Sequence, residues 1–222
     1  MRKISVQQYA VKEFQFAEAI KVLRTNLMFC GTGVRAVGLS SHKEAEGKSA
    51  IAFQLAASLA QAGKRVLLLD ADIRMSCLER RLHIKGEVKG LSHYLSGLAN
   101  ANELLVETDV EGLYIMFAGK RVPNAAELLG SEGFARLIPA LKDSFDYVIV
   151  DTAPLGEVID CAVVAPHLDG VLFVVDSSNN SCKSERAVQR QLEKSGGKVL
   201  GVVLNKVEYK QKKGYYGEHF GG

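Results

Sequence analysis

The sequence predicts an α/β fold, a mostly parallel sheet flanked by helices. Three observations carry this. The short apolar runs Arg65-Val66-Leu67-Leu68-Leu69, Tyr147-Val148-Ile149-Val150 and Val171-Leu172-Phe173-Val174-Val175 are separated by helix-length segments, as expected of strands buried on both faces of a parallel sheet. Each run stops at an acid, Asp70, Asp151 and Asp176 respectively. A further run ending at Leu39 leads through a tight loop into Glu46-Gly47-Lys48-Ser49, where a helical pattern begins. In such sheets ligands sit outside the carboxyl ends of the strands, at a switch in strand order.

The elements follow in order. Residues 1–12 read as a loose lead-in. Phe16, Ile20, Leu23 and Leu27 fall at helix spacing within 14–28. Strand one covers 36–39. The helix after the loop carries Ile51, Leu55, Ala56, Leu59 and Ala60 and stops at Gly63, placed as a C′ glycine. Next come the strand at Leu67 and a charged stretch over 74–89. Two short helices fall within 91–105, and a strand covers 113–117. Helices over 123–129 and 131–141 precede the Asp151 strand. A helix over 183–194 and a strand over 199–204, ending at Asn205-Lys206, complete the pattern.

At 222 residues the chain suits one domain with a sizeable core. Residues 1–207 form that domain, and 208–222 form a flexible tail in which Lys210, Lys212 and Lys213 mix with Gly214, Gly217, Gly221 and Gly222. A net charge of +3 is too small and dispersed to argue for nucleic acid. Cys30, Cys77, Cys161 and Cys182 are widely spaced and read as reduced thiols. The start lacks the apolar core of a signal peptide, and no apolar run approaches ~18 residues, so a cytoplasmic protein without direct membrane insertion is expected.

The loop has its own chemistry. A strand, a tight turn and Gly-Lys-Ser opening a helix cradle phosphate with consecutive backbone N–H groups and the positive end of the helix dipole. The nucleotide-binding stretch is therefore Ala45, Glu46, Gly47, Lys48, Ser49 and Ala50, with Lys48 reaching the β/γ-phosphates and the Ser49 hydroxyl a ligand for Mg²⁺. The full pattern wants glycine at position 42, where this chain has His42. Asp70, Asp72 and Asp151 stand at two of the strand ends, beside the phosphate loop at a third, where they could hold Mg²⁺ and activate a nucleophile. Asp176 reads instead as a turn residue.

Together these residues resemble the bacterial tyrosine kinases of capsule and exopolysaccharide export, within the deviant phosphate-loop ATPases that include the cell-division and partition ATPases. Residues 40–49 lie on the family's Walker A motif. Leu67-Leu68-Leu69-Asp70-Ala71-Asp72-Ile73-Arg74 lies on Walker A′, and Val148-Ile149-Val150-Asp151-Thr152-Ala153-Pro154 on Walker B. Softer matches are Arg24-Thr25-Asn26-Leu27, Ala118-Gly119, Pro123-Asn124 and Glu127-Leu128-Leu129.

The resemblance implies a P-loop NTPase fold and ATP-dependent autophosphorylation on tyrosine. Lys48, Asp70, Asp72 and Asp151 would be catalytic, and Ser49, Asp72 and Asp151 would hold Mg²⁺. Which of Asp70 and Asp72 accepts the tyrosine proton stays open, and Arg74 would steady phosphate or carboxylates. Asn205 falls where relatives of the fold contact adenine, and it reads equally as a turn residue. The acceptors would be Tyr209, Tyr215 and Tyr216.

The family's ring-assembly motif falls on Glu18, Lys21 and Arg24, which read equally as a solvated helix face. A homo-oligomeric ring and a separate transmembrane activator, recruiting the chain to the membrane, are further implications. Relatives carry Pro-Gly where this chain has Glu44-Ala45, so weaker nucleotide binding is expected. A partition-type ATPase, with Lys43 as its second loop lysine, and a non-catalytic scaffold are the competing readings.

Overall fold

The structure, a computed structural model, describes residues 2–6, 9, 13–84, 86–178 and 190–208. Among these residues eight strands form one sheet: β1 (Arg2–Ile4), β2 (Ala36–Ser41), β3 (Val66–Asp70), β4 (Val106–Thr108), β5 (Leu113–Met116), β6 (Tyr147–Asp151), β7 (Gly170–Asp176) and β8 (Val199–Asn205). Their order is β1-β4-β5-β3-β6-β2-β7-β8. Every pairing is parallel except β4 with β5. The expected mostly parallel architecture is what the chain adopts.

The helices are α1 (Phe14–Phe29), α2 (Lys48–Gln61), α3 (Leu78–Arg81), α4 (Leu91–Leu95), α5 (Ala125–Leu129), α6 (Glu132–Ser144) and α7 (Asp160–Val164). Alternate side chains of the central strands leave on opposite faces, and both faces are covered. Leu68 and Ile149 pack with Leu27 of α1 and Leu55 and Leu59 of α2. Leu67, Leu69, Val148 and Val150 pack with Phe134, Leu137 and Leu141 of α6. A third cluster sets Phe173 and Val175 against Cys161 and Leu192. Two-sided burial is why these strands read as unbroken apolar runs rather than as alternating patterns.

Several boundaries move. The 1–12 segment contains an element: Arg2–Ile4 pairs with Val106–Thr108 at the sheet edge, and Val6 is fully buried with its N–H donating to Asp109 Oδ1 at 2.7 Å. The lead-in expectation is corrected there, because edge pairing holds a strand too short and polar to announce itself. β4 and α7 are likewise additions. Of the expected 183–194 helix, residues 190–194 are helical and 183–189 lie outside the described residues. Gly63 does follow the end of α2 in a left-handed conformation, φ 80°.

Candidate active site

The site lies at the carboxyl ends of β2, β3 and β6. β6 runs between β3 and β2, so Asp70 and Asp151 are direct neighbours across one pair, and Leu39 and Asp151 across the next. Three residues distant in sequence therefore meet because of strand order alone.

The loop from Ser41 to Gly47 is held by its own polar groups. The Glu46 carboxylate accepts the N–H groups of His42 and Lys43 at 2.8 and 3.0 Å, and the Ser41 hydroxyl donates to Lys43 O. His42 is accommodated where glycine was expected because Gly156 faces it: a Cβ there would come within 2.2 Å of the His42 ring. From the far side Asn205 Nδ2 donates to Glu46 O at 2.9 Å, and Lys206 Nζ donates to Ala45 O at 2.8 Å. Asn205 and Lys206, at the end of β8, thus both tether the loop.

Gly47 begins α2 in the left-handed region, φ 99°, and caps it with no side chain. The first-turn amides of Lys48, Ser49 and Ala50 are thereby left as open donors at the positive end of a 14-residue helix. Gly47 is required twice over, since a Cβ there would fall 2.1 Å from Asn205 Nδ2. Ala45 does stand where the backbone favours glycine, at φ 60°.

The acids differ in burial and in partners. Asp151 is 3 % exposed, and its Oδ1 has no hydrogen-bond partner. Burial pushes its pKa up to about 6, against the pull of the Lys48 charge and a Ser49 hydroxyl hydrogen bond. Asp72 sits across from Lys48, with Nζ to Oδ2 at 3.6 Å, and its other oxygen accepts the Met75 N–H at 3.0 Å. Asp70 is 1 % exposed. One of its oxygens accepts the Asp72 N–H and the other the Ser76 hydroxyl. Burial and the neighbouring Asp151 raise its pKa well above the carboxylate range.

A cavity of about 240 Å³ opens over these groups, lined by Gly47, Lys48, Ser49 and Asp72. Its residues fit a nucleotide with Mg²⁺. The buried, unpartnered Asp151 oxygen and the Ser49 hydroxyl are hard oxygen donors of the kind Mg²⁺ takes. Among the described residues no three His, Cys, Asp or Glu form a metal cluster. Mg²⁺ needs none, being held by one or two protein oxygens together with phosphates and water.

Other expected positions settle as follows. Arg74 is bound to a carboxylate, that of Asp160 at the start of α7. Asp176 takes the Ser178 N–H and hydroxyl as a turn residue does, and Lys206 holds its pKa down to about 2. Lys21 pairs with Glu18 at 2.6 Å on an exposed face, whereas Arg24 turns into α2 and donates to Ser58 O at 2.9 Å. Tyr209, Tyr215 and Tyr216 lie outside the described residues. Arg80, Arg81 and Arg121 line the cavity as well. No motif marked them, because only the folded loops bring 80–81 and 121 together. No helix among the described residues is long and apolar enough to cross a membrane.

Comparison with known proteins bears on family and fold. An AAA domain family model matches residues 34–202. The tyrosine-protein kinase CpsD of Streptococcus agalactiae is 40% identical over 190 residues, covering 86% of this chain and 83% of that protein. The crystal structure of the chimerical protein CapA2B2 superposes with TM-score 0.84 at 30% identity, covering 94% of each chain. The kinase domain of the Escherichia coli tyrosine kinase ETK superposes with TM-score 0.80 at 30% identity, covering 90% of this chain and 80% of that one. A phosphate loop, a buried acid pair across β3 and β6, and relatives of this closeness lead to one conclusion: the chain belongs to the bacterial tyrosine-protein kinases, a family of P-loop NTPase fold.

Proposed function

We propose that the chain is an ATP-dependent protein-tyrosine autokinase that regulates capsular or exopolysaccharide synthesis or export. The observation that carries this is the Lys48–Asp72 pair facing the open first turn of α2, beside the unpartnered Asp151 oxygen. The amides of Gly47 to Ala50 and the Lys48 ammonium bind the triphosphate. Ser49, Asp72 and Asp151 would hold Mg²⁺, which when bound would supply neutralisation of phosphate charge.

A tyrosine hydroxyl, pKa near ~10, needs a proton acceptor at hydrogen-bond reach. Of the two acids at the end of β3 and just past it, Asp72 lines the cavity while Asp70 is buried with both oxygens engaged. Asp72 therefore takes the proton, and Asp70 positions the loop that carries it. Phosphoryl transfer asks for little more than this positioning and charge neutralisation.

The acceptors are Tyr209, Tyr215 and Tyr216, reached between copies in a homo-oligomeric ring assembled through Glu18, Lys21 and Arg24. A separate transmembrane activator recruits the cytoplasmic chain to the membrane. The test is incubation of the purified chain with Mg-ATP and the activator's cytoplasmic tail, read by intact mass and phosphopeptide mapping, with Lys48→Met as control. Phosphate on Tyr215 or Tyr216, absent in the control, is the expected result. ATP turnover without phosphotyrosine would assign a partition-type ATPase instead, and neither would leave a scaffold.

A further inference from the structure

The cavity over Lys48 has a wall that the phosphate loop does not use. Arg80 and Arg81 come from the last turn of α3, and Arg121 from the loop between β5 and α5. All three line the cavity with Lys48, Ser49 and Asp72. All three are exposed, and among the described residues none is held by an ion pair or hydrogen bond. Arg74, a few residues away, shows the contrast: its guanidinium is taken up by Asp160 and by the Pro123 carbonyl.

Three unpaired guanidinium groups around one opening repel one another and offer planar, forked donors suited to carboxylate or phosphate. Besides Asp72, the lining carries one acid, Glu44. The triphosphate has its own donors in the first turn of α2 and Lys48. Arg80 and Arg81 on α3 and Arg121 on its loop share the opening with Asp72, the residue that faces the incoming hydroxyl.

We infer that Arg80, Arg81 and Arg121 form an acceptor subsite selecting tyrosine segments that carry an anionic side chain close to the tyrosine. This rests on the autokinase reading. The chain itself supplies such a segment in Tyr216-Gly217-Glu218, preceded by Lys210, Lys212 and Lys213. Two residues of extended chain span at most ~7 Å, so a Tyr216 at Asp72 places Glu218, two residues on, at the rim of the same opening. The lysines precede the tyrosine pair, and the basic rim disfavours the register that would bring them in.

The experiment measures fluorescence anisotropy of a labelled peptide of residues 209–222 against the full chain loaded with Mg-ADP. The same peptide carrying Glu218→Gln is the comparison. The natural peptide is expected to bind about fivefold tighter at low ionic strength, a difference that shrinks with salt. Arg80→Gln and Arg121→Gln bring the ratio close to one without weakening Mg-ADP. Arg121→Lys retains part of it, and Arg136→Gln, whose parent pairs with Glu132 on α6, leaves it unchanged.

A ratio of one in the parent chain overturns the subsite, as does a ratio that survives in the arginine variants. So does an equal loss of Mg-ADP affinity, which would assign the arginines to the nucleotide. Binding is read apart from transfer: a chain that discriminates the peptides yet transfers no phosphate refutes the kinase reading and keeps the subsite.

Discussion

The guanidinium of Arg74 grips the carboxylate of Asp160 with two donors, Nε to Oδ2 at 2.6 Å and Nη2 to Oδ1 at 3.0 Å, while Nη1 reaches Pro123 O at 3.1 Å. One side chain thereby joins the loop after β3, the loop before α5 and the start of α7. Asp160 is 1 % exposed, and Arg74 is the cation paired with it.

Removing that partner isolates a buried carboxylate. Arg74→Leu is expected to cost about 3–5 kcal/mol, and Arg74→Lys less, since it keeps the charge but loses the fork. Thermal unfolding of both variants checks the order. The loop carrying Asp72 is anchored by the same side chain, so phosphate transfer in Arg74→Lys should fall more steeply than its stability.

Gly47 and Asn205 are coupled through space. Gly47→Ala should abolish Mg-ADP binding, because the new Cβ meets Asn205 Nδ2 at 2.1 Å and the backbone stands at φ 99°. Asn205→Ala loses one loop hydrogen bond, worth about 1 kcal/mol, and weakens binding modestly. The double variant should bind better than Gly47→Ala alone. A calorimetric titration showing simple additivity would refute the steric coupling.

Ala45 occupies a left-handed conformation that costs a residue with a Cβ about 1–2 kcal/mol. Ala45→Gly removes that strain but adds freedom to the unfolded chain, about 0.5–1 kcal/mol. Tm should therefore change little. Mg-ADP affinity should rise severalfold as the loop closes on phosphate without strain. Unchanged affinity would mean that Ala45 is no obstacle to the nucleotide.

Asp151 ties stability to pH. Its folded pKa, about 6, is raised above the ordinary carboxylate value. For a raised pKa the contribution to folding is full below the unfolded value, near ~4, and is lost as pH rises through the folded one. Above that window the buried charge weighs on the nucleotide-free fold by at most about 3 kcal/mol. Asp151→Asn should raise Tm by several degrees at pH ~8 and by almost nothing at pH ~4, while eliminating phosphate transfer. Equal melting curves at the two pH values would sink the argument.

Much of the fold was legible in order along the chain. The runs at Leu67, Val148 and Val171 announced buried strands because both of their faces are covered, and Gly47-Lys48-Ser49 announced a helix start because glycine and the following donors have a local geometric purpose. β1 was not legible. Arg2–Ile4 has no apolar signature and becomes a strand only by pairing with Val106–Thr108. Arg24 looked like one member of a three-charge face, yet it bonds to Ser58 of α2, which no spacing within α1 reveals.

The sequence by itself singled out the candidates for the chemistry: Lys48 and Ser49 in the loop, and Asp70, Asp72 and Asp151 at or just past strand ends. Their identity follows from local rules linking glycine, helix starts and strand ends to ligand sites. Only the tertiary structure decided how the acids divide. Placing β6 between β3 and β2 brings Asp151 beside Asp70, buries Asp70 against Ser76 and leaves Asp72 facing Lys48. It also gathered Arg80, Arg81 and Arg121 around one opening. Strand order and burial set those distances, and both are properties of contacts between segments far apart in the chain.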